Sequence, residues 1–259
     1  VRAMDIKGRA AIVTGSSSVV GIGAETAKLI ASKGCNVVIN YVTNFDGAEE
    51  TVAACRGNGV DSFAVQGDVS KDEDCRKMVE AAVDKWGRLD VLVNNAAITK
   101  VVPAANFEGL TADDFLDIYA VNVVGNFQMT RAAAPYLKGS GDAAVVNISS
   151  LGALIGDGSS IAYAASKGAL NNLTMAMARQ LAPEVRVNAI CPGGLLGNWT
   201  KKITSDEAYQ RRVQEAETEF PLRKPVMPID VAKTALWLIE DATLMTGEAF
   251  RMDAGQHLS

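Results

Sequence analysis

The sequence predicts an α/β fold: a doubly wound parallel sheet of about seven strands with helices on both faces. Two observations lead to it. Short apolar runs alternate with amphipathic helical stretches along the chain. Seven such runs separated by helices also match a series of βαβ units, whose crossovers keep the strands parallel. No Pro/Gly/Ser-rich linker, low-complexity tract or break in composition divides the 259 residues, so 1–259 is expected to form one domain.

Taken in order, Ala10–Thr14 reads as a buried strand. Ile22–Lys33 reads as a helix stopped by Gly34, and Val37–Tyr41 as a second strand. Ala48–Arg56 is helical and ends at Gly57-Asn58-Gly59, and Ser62–Gln66 is a third strand. Ser70, with Glu73 three residues on, reads as a capping box opening a helix that runs to Trp86 and stops at Gly87. Leu89–Val93 is a fourth strand. Thr111 with Asp114 resembles a cap for a long helix reaching about Leu137, and Ala143–Ile148 is a fifth strand. A helix over about Ile161–Leu181 ends before Pro183, and Val185–Cys191 is a sixth strand. Pro228–Glu240 is a helix with proline in its first turn, and Ala249–Met252 is a last short strand. The charge-rich stretch Gly194–Leu222 breaks the rhythm.

Composition narrows the function classes. Hydrophobic residues are 48% of the chain and charged residues 21%, which permits a large core and argues against global disorder. A net charge of −5 argues against a nucleic-acid partner held by phosphate contacts. No apolar run approaches the roughly 20 residues of a membrane span. Val1–Arg9 lacks the basic-then-apolar layout of a secretory signal, so a cytoplasmic location without membrane attachment is expected. Cys35, Cys55, Cys75 and Cys191 form no Cys-x-x-Cys pair, and His257 is the single histidine. Neither a Cys/His zinc site nor a Ser-His-Asp triad is expected.

Four motifs carry chemistry. The first is the glycine-rich turn from Thr14 to Gly23, between the first strand and the first helix. Glycine there lets backbone approach a phosphate, and the helix N-terminus offers free N–H groups and a positive dipole end. The same turn can equally be just a tight connection. The second is Gly67-Asp68-Val69, where Asp68 either accepts a bond from an adenine amine or caps the next turn. The third is Asn94-Asn95-Ala96-Ala97, whose amides can lock neighbouring loops. The fourth decides the reading: Ser149-Ser150 ends the fifth strand, and Tyr163 and Lys167 follow at i and i+4 on one helix face. A phenol with a pKa near 10 is a poor acid/base at neutral pH, and an ammonium and an oxidised nicotinamide beside it are expected to lower that value. Ser150 stands at a strand's C-terminal end, where open α/β sheets bind ligands, so its hydroxyl can hold a substrate oxygen.

In this order the motifs resemble the short-chain dehydrogenase/reductase family over nearly the whole chain, broadly its 3-oxoacyl-carrier-protein reductase branch. The resemblance implies a Rossmann fold and an NAD(P)(H)-dependent oxidoreductase interconverting a ketone and a secondary alcohol. It implies Tyr163 as general acid/base, Ser150 as substrate binder, Lys167 as ribose-binding activator, and Asn122 as support for a water in a proton relay through Lys167. It also implies cofactor contacts from Gly15, Ser17, Gly21, Ile22, Gly23, Tyr41, Asp68, Val69, Asn95, Ala96, Ala97, Tyr163, Lys167, Pro192 and Gly193, with no metal. Other outcomes are a sugar, polyol or steroid dehydrogenase of the same family, or a cofactor-binding redox sensor without turnover.

The chain departs from the family pattern in places. Five residues separate Gly15 from Gly21 where three are usual, so Val19-Val20 reads as a two-residue insertion. The Thr that usually follows Pro-Gly by about four residues is delayed to Thr200, and Ala254 replaces a glycine. The second strand ends Asn40-Tyr41-Val42-Thr43-Asn44 with no carboxylate, which favours NADP(H) over NAD(H), although no base stands in for it. The segment 195–220 reads as a lid. Its Lys201, Lys202, Arg211 and Arg212 are balanced by Asp206, Glu207, Glu215, Glu217 and Glu219, so a solvated helix is expected rather than a carrier-protein site. Small and apolar residues on the two long helices (Ala132, Ala133, Ala134, Ala169, Met175, Ala176, Met177) suggest a homo-oligomer, a tetramer by resemblance.

Overall fold

The computed structural model describes residues 3–259. Its sheet has seven strands: β1 (Ala10–Val13), β2 (Asn36–Tyr41), β3 (Ser62–Gln66), β4 (Val91–Asn94), β5 (Ala143–Ile148), β6 (Val185–Pro192) and β7 (Ala249–Met252). Every neighbouring pair is parallel, in the order β3-β2-β1-β4-β5-β6-β7. The chain therefore winds outward in both directions from the β1/β4 boundary, and ligands of such sheets lie beyond the strand C-termini at that reversal. Helices α1 (Ile22–Ser32), α2 (Phe45–Arg56) and α10 (Pro228–Glu240) cover one face. Helices α3 (Asp72–Trp86), α5 (Asn126–Ser140) and α7 (Ile161–Leu181) cover the other. Successive strand residues feed the two layers in turn: Ala11 and Val13 pack under α1, and Ile12 packs on the α3 side.

The differences from the sequence reading have local causes. Helix α2 starts three residues earlier than expected, because the Asn44 side chain accepts from the Gly47 N–H and caps it there. Ser70 does not cap α3. Its N–H and hydroxyl both donate to Asp68 Oδ1, at 2.9 and 2.8 Å, and the helix begins after Lys71 without a side-chain cap. β4 begins at Val91 because the Asp90 carboxylate, rather than a backbone carbonyl, receives the Ala10 N–H. The single long helix expected from Thr111 is α4 (Ala112–Tyr119), a π-helical stretch over Ala120–Gly125, and then α5. A short α6 (Gly152–Ile155) follows Ser150, and the lid contains α8 (Asn198–Ile203) and α9 (Asp206–Thr218). Ala132, Ala133 and Met177, read as surplus apolar surface, are buried against the sheet.

Under the α5/α7 layer runs a buried polar chain. Asn94 Nδ2 donates to Asn147 Oδ1 (2.9 Å) and Thr130 Oγ1 (3.2 Å), and Asn147 Nδ2 donates to Thr174 Oγ1 (2.9 Å). It ties α5 and α7 to the centre of the sheet.

Candidate active site

The C-terminal ends of the strands open on one cavity of about 1050 Å³. All the residues singled out for cofactor contact line it, from Gly15 and Ser17 through Gly21, Ile22, Gly23, Tyr41, Asp68, Val69, Asn95, Ala96 and Ala97 to Pro192 and Gly193. Ser150, Tyr163 and Lys167 line it too; Asn122 does not, although its neighbour Val121 does.

The glycine-rich turn is shaped by close approach. Gly15 takes φ +60°, and a Cβ at Gly23 would stand 2.6 Å from Asn95 Nδ2. Asn95 holds the turn by donating to the carbonyls of Thr14 (2.9 Å) and Gly15 (2.8 Å), and Asn40 Oδ1 accepts from the Gly15 N–H (2.9 Å). Gly21 opens α1 with no side-chain cap, so the first N–H groups of that helix remain available. Val19 and Val20, the inserted pair, are exposed, Val20 at the edge of the cavity, and Lys28 Nζ holds the Val19 carbonyl at 2.7 Å. Asn44 Nδ2 donates to the Ser17 carbonyl at 2.6 Å, joining the turn to the end of β2. Asp68 Oδ1 is engaged with Ser70, which is the turn-capping arrangement. Lys33 pairs with Glu240 at 3.6 Å, and Asp46 is not among the lining residues.

At the cavity floor, Lys167 Nζ is buried and donates to the Ile148 carbonyl at 2.8 Å, 5.6 Å from the Tyr163 ring centroid. Burial lowers its pKa to about 8. Burial raises that of Tyr163 to about 12, against a smaller opposing pull from its hydrogen bond with Ser150. The lowered phenol expected from the sequence, which counted a bound oxidised nicotinamide as well as the lysine, is thus not a property of the protein by itself: desolvation outweighs the Ser150 hydrogen bond. Ser150 Oγ also accepts from the Gly152 N–H at 3.1 Å, through the short α6 that sequence reasoning did not find.

Asn122 sits in the π-helical stretch with both ends of its side-chain amide bonded. Oδ1 accepts from the Ile98 N–H (2.9 Å), and Nδ2 donates to the Ile98 carbonyl (3.0 Å) and to Ser166 Oγ (3.1 Å). It fastens the loop after β4 to the helix that carries Tyr163 and Lys167. π-Helical insertions are frequent at functional sites, but they follow no simple sequence periodicity.

The charged segment after β6 is closed at its base by a clasp, with Leu195 bridging Val226 and the Leu196 N–H donating to the Val226 carbonyl (2.9 Å). Thr200 is buried and donates to the Leu195 carbonyl at 2.6 Å, so its hydroxyl serves the clasp. Lys202, Arg211 and Arg212 line the cavity, and no ion pair among the described residues joins them to the acids expected to balance them. At the C-terminus, His257 Nδ1 lies 2.7 Å from Asp253 Oδ2, outside the cavity lining. Ala254 takes φ +53°, a left-handed position that suits the glycine it replaces.

The family model described as enoyl-(acyl carrier protein) reductase matches residues 15–257. The chain belongs to the short-chain dehydrogenase/reductase family. It is 40% identical, over 96% of both chains, to a protein of Streptomyces violaceoruber described as a ketoacyl reductase of the granaticin polyketide synthase. It is 32% identical to the 3-oxoacyl-(acyl-carrier-protein) reductase FabG of Staphylococcus aureus, over 96% of this chain and 98% of that one. A crystal structure described as a short-chain dehydrogenase/reductase from Burkholderia xenovorans superposes with TM-score 0.88 at 39% identity, covering 97% of this chain and 98% of the other. The family and these relatives make the protein an oxidoreductase of the ketoacyl-reductase-like kind.

Two outcomes follow from this geometry. Tyr163→Phe removes only the hydroxyl: kcat is expected below about a tenth of wild type, with cofactor binding held within a few-fold. Higher retained turnover in single-turnover kinetics takes Tyr163 out of the acid/base role. Because folding lowers the Lys167 pKa from 10.5 to about 8, the unfolded chain binds more protons between those values. The lysine's contribution to stability therefore rises with pH across that window. Buried thiols with raised pKa pull the other way, so the comparison is with Lys167→Met. Wild type should gain stability relative to that variant from about pH 8 to about 10.5 in chemical denaturation. Parallel curves mean a solvated native lysine.

Proposed function

We propose that the enzyme interconverts a ketone and a secondary alcohol with NAD(P)(H), Tyr163 acting as general acid/base. The convergence of Ser150, Tyr163 and Lys167 at one end of a cavity whose other end is a bare glycine turn carries this reading. The turn fits a dinucleotide: a side chain at Gly23 would collide with Asn95, and the uncapped N-terminus of α1 faces the same space, suited to a pyrophosphate. The bound nicotinamide supplies or accepts the hydride. Ser150 holds the substrate oxygen, and in reduction the Tyr163 hydroxyl gives it a proton. Burial keeps the phenol protonated in the free protein, and donation draws on Lys167 and the bound nicotinamide to bring its pKa back down. Lys167, held at Ile148, presents its ammonium to the ribose and stabilises the phenolate left behind. Both Nδ2 hydrogens of Asn122 are used, on the Ile98 carbonyl and Ser166, and its buried Oδ1 already accepts from the Ile98 N–H. Its part in a relay falls to its main-chain carbonyl, which accepts from Asn126 Nδ2 and keeps a second lone pair.

NADP(H) is favoured over NAD(H), because Tyr41, Val42, Thr43 and Asn44 line the cavity at the end of β2 without a carboxylate. The substrate class is a 3-oxoacyl group, in keeping with the names of the relatives; sugar, polyol and steroid carbonyls are the alternatives. A redox sensor is less well supported, since sensing needs no proton donor at a carbonyl site. Nicotinamide absorbance with NADPH and NADH and a panel of 3-oxoacyl thioesters, sugars and steroids tests this. Turnover of a 3-oxoacyl substrate, faster with NADPH, is expected; no oxidation of either cofactor by any carbonyl refutes catalysis.

The segment 195–220 acts as a closing lid whose half-buried Ile203, Tyr209 and Val213 form its inner side. Its amides should exchange quickly in the free protein and slowly with cofactor and substrate analogue. Equal strong protection in both states means a fixed helical cap. The molecule assembles as a homotetramer in the cytoplasm. Leu116, Val124 and Phe127, along α4 to α5, and Met175 on α7 remain exposed and are suited to contact between copies. Light scattering at micromolar concentration should give four chain masses; a monomer mass refutes assembly.

A further inference from the structure

Three buried side-chain oxygens have no hydrogen-bond partner among the described residues: Asn94 Oδ1, Asn126 Oδ1 and Gln256 Oε1. Buried polar atoms without partners are uncommon, and each calls for a reason. The two asparagines lie beneath the α5/α7 layer and do not line the cavity. Gln256 does line it. Its place is well defined, since a Cβ on Gly193 would stand 2.8 Å from Gln256 Oε1 and 2.7 Å from Leu151 Cδ2. The amide oxygen therefore sits between the end of β6 and the residue that follows Ser150.

The backbone around Gln256 is fixed while its amide is idle. Its N–H donates to the Asp253 carbonyl at 2.9 Å. Buried Asp253 takes the Gly255 N–H on Oδ1 and the His257 N–H and ring on Oδ2. Neither Nε2 nor Oε1 of Gln256 bonds to another described residue. Oε1 is sealed against Gly193 and Leu151, while Nε2, also without a partner, is the atom left open to the cavity, so the amide is preorganised for a ligand.

We propose that Gln256 is a specificity-determining residue that hydrogen-bonds a second oxygen of the substrate, next to the carbonyl held by Ser150 and Tyr163. The inference rests on the reductase reading above and deepens it: the preferred substrate is a ketone with a neighbouring oxygen function, not a plain ketone. An amide can meet either kind of oxygen. Nε2 donates to a carbonyl, such as that of a thioester, and rotation about the last side-chain bond brings Oε1 round to accept from a hydroxyl. A site built to bond such a group discriminates against the analogue that lacks it.

The test compares wild type with Gln256→Met, which keeps the length of the side chain and removes both hydrogen-bonding atoms. Two matched substrate pairs are used: a 3-oxoacyl thioester against the ketone lacking the thioester carbonyl, and a hydroxyketone against its deoxy analogue. Wild type should favour the oxygenated member of at least one pair, and the kcat/KM ratio within that pair should fall about tenfold in the variant, with Kd for NADPH unchanged. The pair that responds identifies carbonyl or hydroxyl. An unchanged ratio, or a wild type without preference, overturns the inference. So does an equal loss on both members with weaker NADPH binding, which moves the amide to the cofactor. Gln256→Leu is read in the same way where the Met variant folds poorly. A wild type inert toward every carbonyl is a different failure, that of the reductase reading itself.

Discussion

The site depends on a chain of buried amides and hydroxyls that fastens two helices to the middle of the sheet. Asn94 on β4 bonds to Asn147 on β5 and to Thr130 on α5, and Asn147 bonds to Thr174 on α7. Made in full, each such bond contributes a net ~0.5–1.5 kcal/mol; a member left alone in the interior costs ~1–3 kcal/mol. That asymmetry fixes register more than it adds stability. A turn of slippage in α7 would strand Asn147 and move Tyr163 and Lys167 together. The second tie, from Asn122 to Ser166 and Ile98, fixes the same helix between Tyr163 and Lys167. The π-helical stretch is what turns Asn122 inward, between two regular helices.

Held in this way, the reactive pair is kept in a state that water would not choose. Lys167 is buried with one carbonyl for company, and Tyr163 is pushed toward its neutral form. Nothing anionic stands beside the lysine to stabilise its charge. Both shifts come chiefly from desolvation, so they are properties of the cavity as well as of the residues. A group that enters and brings charge or hydroxyls changes both at once, which couples acid/base readiness to ligand binding.

Most of the fold was legible because its signals are local and periodic. The strand at Ala143–Ile148 and the helices at Ile161–Leu181 and Pro228–Glu240 lie where apolar runs and caps placed them. The misses share a cause: a side chain that reaches across space. Asn44 lengthens α2, Asp90 shortens β4, and Asp68 draws Ser70 away from its helix, none of which periodicity records. In the site, Ser150, Tyr163 and Lys167 were readable from spacing on one helix and one strand end. The direction of the Tyr163 shift was not, because depth of burial is a property of the assembled cavity. Gln256 carried no signal at all. It becomes visible only when the C-terminal turn folds back over Gly193.

The cavity divides its labour along a physical line. Its floor is built on strand ends and two pinned helices around a buried ammonium. Its cover is a segment clasped at Leu195 and Val226 and tied to the C-terminal turn by Leu222 and Glu219, and it brings Lys202, Arg211, Arg212 and Glu215 to the rim. Charges at an open rim are screened and contribute little to binding while the segment is apart from the floor. The same charges gain strength as closure removes water between them and a bound anion. Cofactor phosphates and any anionic substrate arm would therefore favour the closed state by their difference in affinity for the two states. With the segment acting as the proposed lid, basic residues placed on it rather than on the floor would make closure depend on what has been bound.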